Sequence, residues 1–296
     1  MYISTPQILE VCEKLIDLHA WPAAKLDVHG WMNNFREDER QMASHLLSVF
    51  MYFSDAMVDA LFRSAFHDVC NLTQKSWENR TAENRRWNTL IDSAIFTIVE
   101  GEQPNVSDSG FYFARKARQV LGIPEDQLLG TRDAMQRLAG GHLGPVIFVD
   151  DFVGSGEQFL KTWTRTYNGS TFSQIAAQRP NQNFIYCNAI MTQLGYDRLR
   201  REASSVILSS GNVLPKNYSC VVEDSLFWPS GEASRGIEFI REVSARAGIP
   251  DTNGGEGDWR GFHKLGLALA FQHSTPDATM PIFYWEHNWA PLVRRS

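Results

Sequence analysis

Apolar positions in the first ninety residues recur at helical spacing, whereas beyond about Asp92 they collect into short unbroken runs. Ser4 or Thr5 is placed to cap a helix with Pro6 in its first turn. Ile8, Leu9, Cys12, Leu15 and Ile16 follow at helical spacing until Trp21-Pro22 ends it. A second periodic stretch runs from about Phe35 to Phe53, with Met42, Leu46, Leu47 and Phe50 on one side. Ser54-Asp55 reads as the cap of a third helix carrying Met57, Val58, Leu61, Phe62 and Phe66. The polar residues 73–86 form a soft boundary rather than a flexible linker, because Trp77 and Trp87 stand in and beside them.

Residues 94–99 and 145–149 are apolar runs suited to buried strands, and 183–191, 205–208 and 219–222 are further strand candidates. Helical patterns at 111–121, 157–166 and 194–203 alternate with them, which predicts a parallel sheet covered on both faces. From Glu232 the chain turns helical, then aromatic and loop-like. The expectation is an α/β fold with a parallel-rich sheet: an N-terminal helical domain over 1–90, an α/β core over 91–230 and a C-terminal extension over 231–296. No internal repeat or low-complexity segment interrupts this order.

Composition narrows the class. The 296 residues are 43% hydrophobic and 21% charged, enough apolar surface to exclude a disordered or fibrous chain. A formal charge of -6 argues against a protein that coats nucleic acid. Direct nucleic-acid contact stays open through a local patch such as Arg294-Arg295, but the charge does not indicate it. Cys12, Cys70, Cys187 and Cys220 are far apart with no CxxC pair, so they form no zinc motif and suit a cytoplasmic protein. The start of the chain lacks the basic and apolar regions of a signal peptide, and no apolar run approaches a membrane span. Sequons such as Asn105-Val106-Ser107 are therefore read as chance.

The most informative segment is Val146-Ile147-Phe148-Val149-Asp150-Asp151-Phe152-Val153-Gly154-Ser155-Gly156-Glu157-Gln158. A buried strand ends in two carboxylates, and a small-residue loop then opens a helix. Gly154 and Gly156 let backbone N–H groups turn toward a ligand, the helix start favours an anion, and Ser155 supplies a hydroxyl. Asp150 and Asp151 repel phosphate and suit sugar hydroxyls or a magnesium ion beside it. The plain alternative is a capped strand followed by an ordinary turn, but adjacent acids after four apolar residues are awkward in a core unless a cation or hydroxyls meet them.

This segment resembles the phosphoribosyl pyrophosphate signature of type I phosphoribosyltransferases. The resemblance implies that Asp150 and Asp151 contact ribose hydroxyls with Mg2+, and that Val153, Gly154, Ser155, Gly156, Glu157 and Gln158 hold the 5'-phosphate. It also implies a pyrophosphate loop after the first core strand, ending at Ser107, Asp108, Ser109 and Gly110, with Arg115 or Lys116 nearby. A mobile loop before the signature strand has its counterpart at 130–144, with Arg132, Arg137 and Gly140-Gly141-His142. Two positions depart from the family. Gln158 stands where a Thr or Ser closes the loop, and Gly154 where purine-salvage members often place an acidic base. Binding is the expectation, and no catalytic residue is assigned.

In the C-terminal part, His273 and Asp277 with neighbouring aromatics either recognise a base or belong to a hydrophobic tail packed across the core. His263 and His287 are read the same way, because no clustered protein-only metal set is visible. The long helical start, His273-Ser274-Thr275-Pro276-Asp277 and the Trp-rich ending also resemble phosphoribosyltransferase-like proteins of bacterial conflict systems, including retron-linked anti-phage modules. That resemblance implies an effector or accessory subunit with a protein partner or larger defence complex. The alternatives are a non-catalytic nucleotide sensor and a structural partner-binding subunit with a vestigial pocket.

Overall fold

The computed structural model of the chain describes residues 4–73, 88–101 and 109–295. The chain divides into two compact units, one Val58–Leu214 and the other Met1–Met57 together with Pro215–Ser296. The outer segments expected as separate domains thus share one core, and the last part of the expected helical domain belongs with the sheet.

The contiguous unit is built on a five-stranded parallel sheet in the order β3-β2-β4-β5-β6. Its strands are β2 (Ile95–Ile98), β3 (Leu128–Leu129), β4 (Val146–Val153), β5 (Phe184–Thr192) and β6 (Val206–Leu214). Every residue of β5, which lies between β4 and β6, is buried, as a mainly apolar strand inside a doubly covered sheet requires. On one face α7 (Glu157–Thr164) and α8 (Phe172–Gln178) bring Phe159, Trp163 and Phe172 against Phe148, Phe184 and Tyr186. The other face meets α4 (Asp55–Thr73) and α5 (Ser109–Leu121), through Phe66 on Phe96 and Phe62 on Phe113. Lys116 of α5 is buried and pairs with Asp59 at 2.7 Å. The helix α9 (Gln193–Glu202) follows β5 directly.

Residues 130–144 do not form the expected mobile loop. Most of them make α6 (Thr131–Ala139), because Thr131, Ala134, Met135 and Leu138 fall on one face and are all buried. The strand expected at 205–208 continues to Leu214, since Ser209, Ser210 and Asn212 keep register with β5 despite their polarity.

In the other unit, Gln7 accepts from both the backbone N–H and the hydroxyl of Ser4, closing the start of α1 (Thr5–Asp17). Short α2 (Val28–Met32) follows. The periodic stretch 35–53 is not one helix. It forms α3 (Arg40–Val49) and then β1 (Met51–Phe53), which pairs in parallel with β7 (Leu269–Phe271). The strand expected at 219–222 is absent: Cys220 N–H donates to the Gly266 carbonyl and its own carbonyl accepts from Trp228, so a loop satisfies that backbone. With α10 (Ala233–Arg246), the final aromatic residues complete the core. Trp31 and Trp289 both donate their indole N–H to the Ile282 carbonyl, at 2.8 and 3.0 Å, and Trp31 stacks on Phe283.

This is the packing reading of the tail. His273 stacks on Phe271 and stands 3.6 Å from Asp55, while Asp277 pairs with Arg295, whose guanidinium lies over Tyr284. His263 and His287 rest against the neighbouring rings of Phe262 and Trp285. The loop after Pro250 is tied by buried Asp258. Its carboxylate accepts the N–H groups of Thr252, Gly254 and Arg260, and the Arg260 guanidinium at 2.8 and 3.0 Å.

Candidate functional site

Strand β4 carries the acid pair at its carboxyl half, where ligands sit in open parallel sheets. Asp150 and Asp151 are both buried. Asp150 lies in register with Asn188 of β5, which lies in register with Ser210 of β6, so a polar row crosses three strands. Ser210 donates to Asn188 Oδ1 at 2.7 Å, and among the described residues the buried Asn188 Nδ2 has no protein acceptor.

Tyr186 contacts Asp150 directly. Its ring stacks on Phe159 with centroids 4.2 Å apart, and its hydroxyl donates to Asp150 Oδ2 at 2.7 Å. The Asp151 backbone N–H donates to Asp150 Oδ1 at 3.0 Å, and Asp151 Oδ1 accepts from Phe152 N–H at 2.8 Å. Burial, followed by the adjacent Asp151 carboxylate, pushes Asp150 well above its ordinary value against the downward pull of Tyr186. Burial and the Asp150 charge push the Tyr186 phenol up in turn. Two crowded carboxylates with oxygen-only donors form a hard-cation environment, and a magnesium ion or ribose hydroxyls would relieve the repulsion that raises Asp150. The residues present therefore fit magnesium. Among the described residues, no group of three or more His, Cys, Asp or Glu side chains could hold a metal alone.

The loop brings together the expected phosphate residues. Val153 and Ser155 are buried, and Gly156 takes a left-handed φ of 74° to enter α7. A Cβ on Gly156 would be strained by that backbone and would stand 3.0 Å from Leu199. Ser155 Oγ accepts from Glu157 N–H at 3.4 Å, which keeps the hydroxyl proton as a donor. Glu157 pairs with Lys161 at 2.9 Å, offsetting a carboxylate that would oppose an anion here. Gln158 is exposed on α7.

The expected pyrophosphate residues are only partly placed. Ser107 and Asp108 lie outside the described residues, as do the side chains of Ser109 and Gly110, while Arg115 is exposed on α5. Just after β2, Glu100 accepts Arg165 and Tyr167 at 2.9 Å each and also Thr131, and the Glu100 N–H donates to Thr162. Burial and the Glu100 contact push the Tyr167 phenol up to about 12. This network fixes the exit of β2. Neither it nor Tyr186, Asn188 and Thr192 carries a local sequence signal, since register and packing assemble them.

Among the described residues, no helix is long and apolar enough to cross a membrane. No curated protein matches the chain. The family model described as PRTase-CE matches residues 28–295, spanning the sheet, the acid pair, the loop and the aromatic C-terminal segment alike. The parallel sheet with its acid-bearing strand and glycine loop is the phosphoribosyltransferase type of fold, and the chain belongs to the PRTase-CE family.

Proposed function

We propose that the chain binds phosphoribosyl pyrophosphate, or a related nucleotide, with magnesium at the carboxyl edge of its sheet. The observation that carries this reading is the buried Asp150–Asp151 pair directly before a glycine loop that opens α7. In this reading Asp150 and Asp151 accept ribose hydroxyls and hold the magnesium, while the loop 153–158 receives the 5'-phosphate. Magnesium would neutralise charge on the pyrophosphate. The protein's own contribution is to orient the ribose and to desolvate the carbon at which a glycosidic bond forms or breaks, with no covalent nucleophile. From the resemblance of the long helical start and the Trp-rich ending to proteins of bacterial conflict systems, we further propose a role as an effector or accessory subunit of a bacterial anti-phage system, held by a protein partner.

A second reading, a nucleotide sensor without catalysis, is favoured by Gly154, which offers no carboxylate where salvage members carry a base. Both readings share one test. Titration calorimetry with phosphoribosyl pyrophosphate and magnesium should give saturable heat with the wild type. The Asp150→Asn/Asp151→Asn variant should lose affinity roughly tenfold or more, as expected for charge-assisted contacts. Equal affinity in a folded variant would remove the acid pair from the site.

A further inference from the structure

The junction between β5 and α9 lies behind the phosphate loop and has no assigned role. Buried Thr192 caps α9, accepting from Gly195 N–H at 3.1 Å, and donates its hydroxyl to the Gly154 carbonyl at 2.6 Å. Gly195 lets the helix approach. A Cβ there would stand 2.5 Å from the same Gly154 oxygen, closer than real side chains come. One turn on, Arg198 reaches the Ser155 carbonyl at 3.5 Å. Two successive loop carbonyls are thus turned toward α9. In a trans peptide the carbonyl and the following N–H point to opposite sides, so the N–H groups of Ser155 and Gly156 are turned away from the helix. Among the described residues neither of these N–H groups donates to a protein acceptor. Paired N–H groups facing one way form an anion-binding concavity.

We infer that Thr192 and Gly195 are positioning residues for the ligand phosphate: they hold the loop from behind so that the Ser155 and Gly156 N–H groups are presented before ligand arrives. Thr192 touches no ligand. It acts through the Gly154 peptide, and removing its hydroxyl frees that peptide to rotate. The inference rests on the ligand reading above.

The test compares wild type, Thr192→Val and Thr192→Ser by titration calorimetry with phosphoribosyl pyrophosphate plus magnesium, and with ribose 5-phosphate. Thr192→Val keeps shape but loses the donor, so its affinity for both ligands should fall by a similar factor of roughly ten. Thr192→Ser restores the hydroxyl and should recover affinity to within about threefold, which a packing role for the methyl group would not allow. A Val variant that binds like wild type, or a Ser variant as weak as Val, overturns the inference and leaves the ligand reading standing. Wild type that binds neither ligand overturns both. If the Val variant does not fold, Thr192→Ala takes its place under the same criteria.

Discussion

Asp150→Asn should raise the thermal midpoint of the ligand-free protein at pH 7 while weakening ligand binding. Burial and Asp151 raise the Asp150 carboxyl above its ordinary value of 3.8, so the native chain binds more protons than the unfolded chain over the intervening pH range. Stability therefore falls as pH rises from about 4 through the raised native value, and the full penalty is present above it. An amide removes the ionisation. Its oxygen still accepts from Asp151 N–H, and the Tyr186 hydroxyl, a donor at 2.7 Å in the wild type, can turn to accept from the new amide. The expected result is a higher midpoint for the variant at pH 7. Melting curves from pH 4 to pH 8 check it: the difference between variant and wild type should be small at pH 4 and grow with pH. A variant no more stable than wild type at pH 7 would mean that the pair is not strained as described. Destabilising acids kept in a core are the usual mark of a site selected for binding rather than for stability.

Asp258 should behave with the opposite sign. Burial alone would raise its carboxyl, but the Arg260 guanidinium and the N–H groups of Gly254 and Arg260 outweigh it and hold the group well below the ordinary range. The unfolded chain then binds more protons, so this stabilisation is present above the unfolded value and is lost as pH falls through the native one. Asp258→Ala leaves the N–H groups of Thr252, Gly254 and Arg260 without their acceptor and Arg260 without its 2.8 Å partner. The expected loss is about 1–3 kcal/mol from the N–H groups left without an acceptor, because Arg260 keeps Asp251 at 2.6 Å. Calorimetric unfolding at pH 7 checks it, and a midpoint within a degree of wild type would refute the account. Asp258→Asn, which keeps one acceptor oxygen, should lose less.

These two acids also mark what a single sequence makes legible. Asp150 and Asp151 stood out because they follow four apolar residues and precede Gly154-Ser155-Gly156, a pattern whose chemistry is local. The strands at 95–98 and 184–192 were legible for the same reason, being short and mainly apolar. Asp258 was not, because its value depends on three N–H groups and a guanidinium gathered by a folded loop. Thr192 and Tyr186 sit inside an apolar run, and only the register of β4 with β5 brings them to the loop and the acids. The helix α6 was legible in principle: Ala134, Met135 and Leu138 have helical spacing, yet the flanking glycines and polar residues read as a loop. The short strand β1 was hidden because its partner, β7, lies far along the chain.

That last pairing has a consequence for synthesis. The sheet unit is a continuous stretch, Val58–Leu214, and all of its strands can emerge before the remainder is translated. The other unit cannot close so early. Trp31 waits for the carbonyl of Ile282, 251 residues later, and β1 waits for β7. Until those residues are made, Trp31, Phe35 and Phe50 lack the C-terminal part of the cluster that buries them. Nascent chains arrested once Leu214 has cleared the ribosomal exit tunnel should carry a protease-resistant sheet unit and a protease-sensitive leading segment. That leading segment is the part of this protein with the greatest call on a chaperone.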